Sequence, residues 1–173
     1  MKKRLSACLG LLAFWVVATT SAQACMGVAP FVIEDIKAAD VVLVGDVTNY
    51  SVEGCQPEEA PSLACYGLID IDVSETLQGE AREHWTLYWW NSTFGVPEKW
   101  ELDNPLIIAG RWAKSRGLPL RGPSATVFPS KRPELLQVLQ APCSRPFLLQ
   151  ADQETISQVR GLLIENSGSE DKK

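Results

Sequence analysis

Residues 40 to 50 read Asp40-Val41-Val42-Leu43-Val44-Gly45-Asp46-Val47-Thr48-Asn49-Tyr50. The stretch is rich in β-branched residues and short of polar ones, which predicts a strand buried on both sides. Gly45 falls in its middle and marks a bulge or a sharp bend.

Downstream, residues 66–77 (YGLIDIDVSETL) alternate cleanly. Ile69, Ile71 and Val73 share one face, and Asp70, Asp72 and Ser74 share the other, so the segment is a half-exposed strand. Gln78-Gly79 supplies a turn. Residues 84–91 (HWTLYWWN) form the next strand, with Trp85, Leu87 and Trp89 on one side and Thr86, Tyr88 and Trp90 on the other. Residues 105–112 (PLIIAGRW) form a further strand, where Gly110 suits a bend. Upstream, residues 30–39 suit a short helix with Val32, Ile36 and Ala39 near one face. Residues 51–64 and 113–134 read as loops, and 135–149 is ambiguous between strand and helical turn, with Pro142 and Pro146 opposing a long helix. Asp152 caps a helix running to about Asn166, with Ile156, Val159 and Leu163 on its core face. The expectation is a mainly β domain, a small closed or nearly closed barrel, with one short N-terminal and one C-terminal helix.

The chain starts with Lys2, Lys3 and Arg4, an apolar run from Leu9 to Val17, and Ala22-Gln23-Ala24 before Cys25. That order predicts a secretory signal peptide over residues 1–24, a domain over 25–166 and a disordered polar tail over 167–173. Cleavage leaves 149 residues with 13 Lys+Arg against 21 Asp+Glu, a net charge of −8. Such a balance opposes attraction to nucleic acid or an anionic bilayer. No transmembrane segment is expected in the mature chain, and a soluble periplasmic or secreted monomer is the preferred reading.

The mature chain keeps Cys25, Cys55, Cys65 and Cys143, an even number suited to two disulfides in an oxidising compartment. Three pairings exist. Cys55 and Cys65 bracket a loop rich in Pro and Glu, which favours a local bridge and leaves Cys25 to Cys143. A loop that long contributes on the order of 4–5 kcal/mol through the unfolded state. The C-x-x-C knuckles that zinc prefers are missing from the sequence. Residues 21–25 also loosely match a lipoprotein processing site with acylated Cys25, but Ala22 stands where Leu is usual and an odd thiol count would remain.

The order of these pieces resembles a known family. A cysteine opens the mature chain, and Ala39-Asp40-Val41-Val42-Leu43-Val44-Gly45-Asp46-Val47 follows about fifteen residues later. Then come Leu77-Gln78-Gly79, an aromatic strand, Leu106-Ile107-Ile108-Ala109-Gly110, and Cys143-Ser144-Arg145. From Cys25 to about Leu149 this resembles the netrin-like domain, the OB-fold barrel shared with the tissue inhibitors of metalloproteinases. The resemblance implies a five-stranded OB-fold-like barrel. In the family's inhibitors the N-terminal α-amine and carbonyl chelate the catalytic zinc of a protease and displace its nucleophilic water. Mapped by position, it implies Cys25 as chelator, Met26 as pocket residue, Gly27 as the next ridge residue and Cys143 as anchor of Cys25. The inhibitors carry a second cysteine at the third position, where this chain has Gly27.

Two other features bear on function. Trp85, Tyr88, Trp89, Trp90, Trp100 and Trp112 lie within 28 residues, and OB-fold faces bind oligosaccharides on such rings. Trp85 and Trp89 share a face with Leu87 and read as core, leaving Tyr88 and Trp90 as a glycan, cell-envelope polymer or partner face. An enzyme is not expected: His84 is the only histidine, and nucleophile-elbow, phosphate-loop and H-E-x-x-H patterns are missing from the sequence. Asp70 and Asp72 are too few for calcium and read as a solvated strand face. The sequon Asn91-Ser92-Thr93 carries no weight behind a signal peptide of bacterial type. No cofactor and no intrinsic metal are expected. The sequence reading is therefore an exported, non-catalytic protein-binding module, for which the resemblance implies a zinc metalloprotease as partner.

Overall fold

The computed structural model describes residues 27–55, 65–90, 95–115, 118, 120, 130–141 and 143–170, with side chains to residue 165. The expected signal peptide, Cys25, Met26, the sequon and residues 171–173 lie outside the described residues.

A 3-10 helix (Ile33–Ala38) leads into strand β1 (Val41–Glu53), followed by β2 (Tyr66–Gln78) and β3 (His84–Trp89). Strands β4 (Leu106–Arg111), β5 (Leu136–Val138) and β6 (Leu148–Gln150) precede helix α1 (Gln153–Glu170). β1 pairs antiparallel with both β2 and β4, β2 with β3, and β4 with β5, while β3 and β5 run parallel. The order β1-β2-β3-β5-β4 thus returns to β1 and closes a five-stranded mixed barrel, OB-fold-like, with β6 added alongside β4.

The expected double burial of β1 holds for Val41 to Gly45 only, the rest of the strand being exposed or half-buried, and over those residues it has a simple cause. Val41 and Leu43 point into the barrel, where they meet Ile71, Leu87 and Ile108. Val42 and Val44 point outward into a second core, beneath Ile36, Val159 and Leu163 of the two helices. β4 repeats the device, with Leu106 and Ile108 inside and Ile107 and Ala109 under the helices. A strand covered on both faces has no reason to alternate.

Gly45 is the bulge the sequence suggested, at a register shift between Val44 and Gly45. A Cβ there would run into the carbonyl oxygen of Asp72 and lie 2.8 Å from Ile71 Cγ2. Gly79, at φ 86°, makes the β2–β3 turn. Past the bulge, the Asn104 side chain stands in for a neighbouring strand. Its Oδ1 accepts the Val47 amide at 3.0 Å and its Nδ2 donates to the Val47 carbonyl at 3.1 Å. The Asn104–Pro105 peptide is cis.

The structure corrects three expectations. Gly110 makes no bend; it lies within β4, and the Leu136 side chain occupies the space a Cβ would need. The ambiguous stretch 135–149 is two short strands joined by a turn, with Gln140 bridging Pro146. Helix α1 continues to Glu170, past its expected end near Asn166. Asp152 caps it as expected, its Oδ1 accepting the Thr155 amide at 2.8 Å and its Oδ2 the Thr155 hydroxyl at 2.9 Å. Among the described residues, no helix is long and apolar enough to cross a membrane.

Candidate functional site at the N-terminal ridge

The first described residues form a ridge against the β5–β6 turn. Gly27, Val28 and Pro30 are exposed, Val28 at 59 %. From Gly27 to Ile33 the sequence carries no charged side chain, in a protein that is 21 % charged overall. Among the described residues the ridge pairs with no strand. A short hydrogen bond holds it, from the Ala29 amide to the Cys143 carbonyl at 2.6 Å. Phe31 then packs on Phe147, ring centroids 4.8 Å apart, and the chain enters the 3-10 helix.

The residue accepting that bond is itself unusual. Cys143 has φ 61°, a left-handed conformation that costs a residue with a side chain about 1 kcal/mol or more. Cys143 is disulfide-bonded. With Cys55 and Cys65 bridged to each other as expected, the remaining cysteines are Cys8 and Cys25, both outside the described residues. The roles assigned to Cys25 and Met26 therefore also fall outside them.

Two contacts brace the turn from within. Gln140 Nε2 donates to the Ser144 carbonyl at 2.7 Å, and the Ser144 amide donates to the Ala141 carbonyl at 3.0 Å. On its other side, Gln140 Oε1 accepts the indole N–H of Trp89 at 3.2 Å. Trp89 belongs to the barrel interior. Sequence reasoning passed over Gln140. Its one signal was a polar residue in the apolar run Val138-Leu139-Gln140-Ala141.

The two residues expected to form an aromatic face differ in exposure. Trp85 and Trp89 are core, as expected. Tyr88 is 0 % exposed, although it lies on the outer side of β3. Tyr66 covers it at 5.0 Å between ring centroids. Burial pushes its phenol pKa up, opposed by the Lys131 backbone. A ring so enclosed cannot stack a sugar. Trp90 is half-buried.

The remaining outer face of β2 and β3 is satisfied by its own contacts. Asp70 accepts from Thr86 Oγ1 at 2.6 Å and from Asn49 Nδ2 at 3.0 Å, tying three strands together. His84 Nδ1 lies 2.7 Å from Asp72 Oδ1, both side chains exposed. Among the described residues, no group of three or more His, Cys, Asp or Glu could hold a metal ion.

The chain matches no protein-family model and no curated protein.

Proposed function

We propose that this protein is a binding module of netrin-like type, without catalysis of its own, whose N-terminal ridge docks on another exported protein. The observation that supports the reading is the Ala29–Cys143 hydrogen bond: it fixes an exposed, uncharged ridge against a closed barrel. Rigid presentation of a short protruding segment lowers the ordering cost of binding, which is what a recognition element requires. In its sharpest form the partner is a zinc metalloprotease. Cleavage before Cys25 would free an α-amine, and that amine with the Cys25 carbonyl would take the positions of the zinc-bound water. Met26 would enter the adjoining apolar pocket, where a flexible thioether packs readily.

The test begins with the intact mass of the exported protein and a non-reduced peptide map. A chain beginning at an unmodified Cys25 bridged to Cys143 is the expected result. That material is then titrated against thermolysin and other zinc endopeptidases, beside a variant with one alanine inserted before Cys25. Inhibition by the wild type and none by the extended variant is expected, with the same circular dichroism for both. An acylated Cys25, or a free Cys25 amine that inhibits no enzyme of the panel, removes the protease reading. The binding module then stands or falls on whether the insertion weakens capture of a native partner.

A further inference from the structure

We propose that Gln140 is the positioning residue of the ridge, holding the Cys143 turn in the one conformation that presents its carbonyl to Ala29. The inference rests on the ridge being the binding element. It comes from a path that runs from the barrel interior to the ridge through adjoining residues: Trp89 Nε1 to Gln140 Oε1 at 3.2 Å, Gln140 Nε2 to Ser144 O at 2.7 Å, and, one residue back along the chain, Ala29 N to Cys143 O at 2.6 Å.

Each link constrains the next. Trp89 is locked in the core, so its N–H has one direction and selects which end of the Gln140 amide faces it. The opposite end must then present N–H to the turn. It finds the Ser144 carbonyl, and Ser144 is itself buried. Between that carbonyl and the Ser144 amide bond to Ala141, the backbone on the C-terminal side of Cys143 is fixed at two points. Cys143 is left at φ 61°, which turns its carbonyl toward residue 29. A left-handed residue with a side chain relaxes once its surroundings stop dictating it. The donor at Gln140 is one side-chain part of that dictation, beside the disulfide of Cys143 itself.

Backbone amide exchange, read by NMR on the oxidised full-length protein, tests this without any partner. Gln140→Leu removes both links, and Gln140→Glu keeps an acceptor for Trp89 but loses the donor to Ser144. Both variants are expected to speed exchange at Ala29 about tenfold or more while the Ile71 and Leu87 amides of the barrel keep their wild-type rates. Gln150→Leu, which removes a comparable bond to Pro105 far from the ridge, is expected to leave Ala29 unchanged. Unchanged exchange at Ala29 in both Gln140 variants overturns the proposal. So does a parallel rise at Ala29, Ile71 and Leu87, which would make Gln140 a general stabiliser. If Ala29 loosens but thermolysin, or a captured partner, binds the variant at the wild-type rate, the relay stands and the ridge reading fails.

Discussion

Asp40 ties the start of β1 to the end of β4: its carboxylate accepts the Trp112 amide and the Ser115 hydroxyl, each at 2.7 Å, across 72 and 75 residues. It sits at the seam where the barrel closes, next to the first β1–β4 pair, Val41 with Gly110. Asp40→Ala leaves the Trp112 amide without this acceptor and is expected to cost about 2–3 kcal/mol, from bonds to a charged group. Asp40→Asn keeps one acceptor and is expected to lose about half as much. Urea denaturation measures both, and an alanine variant within experimental error of wild type would show the seam to be indifferent to this residue.

Gly45→Ala puts a methyl against the Asp72 carbonyl and Ile71 Cγ2. The bulge must open or β2 must move, at a cost of about 1–3 kcal/mol. A lower urea midpoint with an unchanged slope is the expected result.

The Cys55–Cys65 bridge closes a loop with a sequence separation of 10. Replacing both cysteines by alanine is expected to lower stability by about 2.5–3 kcal/mol, chiefly by freeing the unfolded chain. Calorimetry of the double variant checks it, and the loss should be smaller than that from opening the bridge at Cys143, whose loop is the longer one under either remaining partner.

Burial raises the Tyr50 phenol to about 12, while its hydroxyl donates to the Pro97 carbonyl at 2.6 Å. The unfolded chain ionises this tyrosine at its ordinary value, near ~10. The stability associated with the buried, neutral phenol is therefore complete below ~10 and is lost as pH rises from there through about 12. Absorbance titration at the tyrosinate band should show a late transition that Tyr50→Phe reduces in amplitude, the buried Tyr88 phenol supplying the remainder.

Asp152 is shifted the other way. The backbone amide of Thr155, and then its hydroxyl, hold the carboxyl below its usual value. Its support for helix α1 is thus full above the ordinary aspartate range and disappears as pH falls through the lower folded value. Denaturation midpoints of wild type and Asp152→Asn should converge in acid and separate toward neutrality.

How much of this could be read from the chain depends on whether a residue's role is local. The β2 alternation, the Gly45 bulge, the Asp152 cap and the Cys55–Cys65 bridge were legible because each is settled within a few residues or by a spacing. The barrel's closure was legible only as an expectation from strand number and mid-strand glycines. What escaped was whatever needed a distant partner. Tyr88 obeyed the period that put it outside, and Tyr66, whose position no periodicity in β3 encodes, covers it. Asn104 gave no sign of imitating a strand for Val47, 57 residues away. Gln140 drew no reading of its own, because the partner that orients its amide, Trp89, lies 51 residues away.

The bond between Ala29 and Cys143 also says something about the order in which the molecule is made. Its donor belongs to the first described turn of the chain and its acceptor arrives 114 residues later, after five strands have been laid down. Contacts of such sequence separation form late, because the chain between must first be gathered in. During synthesis the ridge is thus an unanchored leader, free to be cut or chemically altered, and it acquires its fixed direction only when the barrel behind it is finished. Any enzyme that trims or modifies this end works on a flexible strand of peptide, and any partner that reads it meets a rigid one.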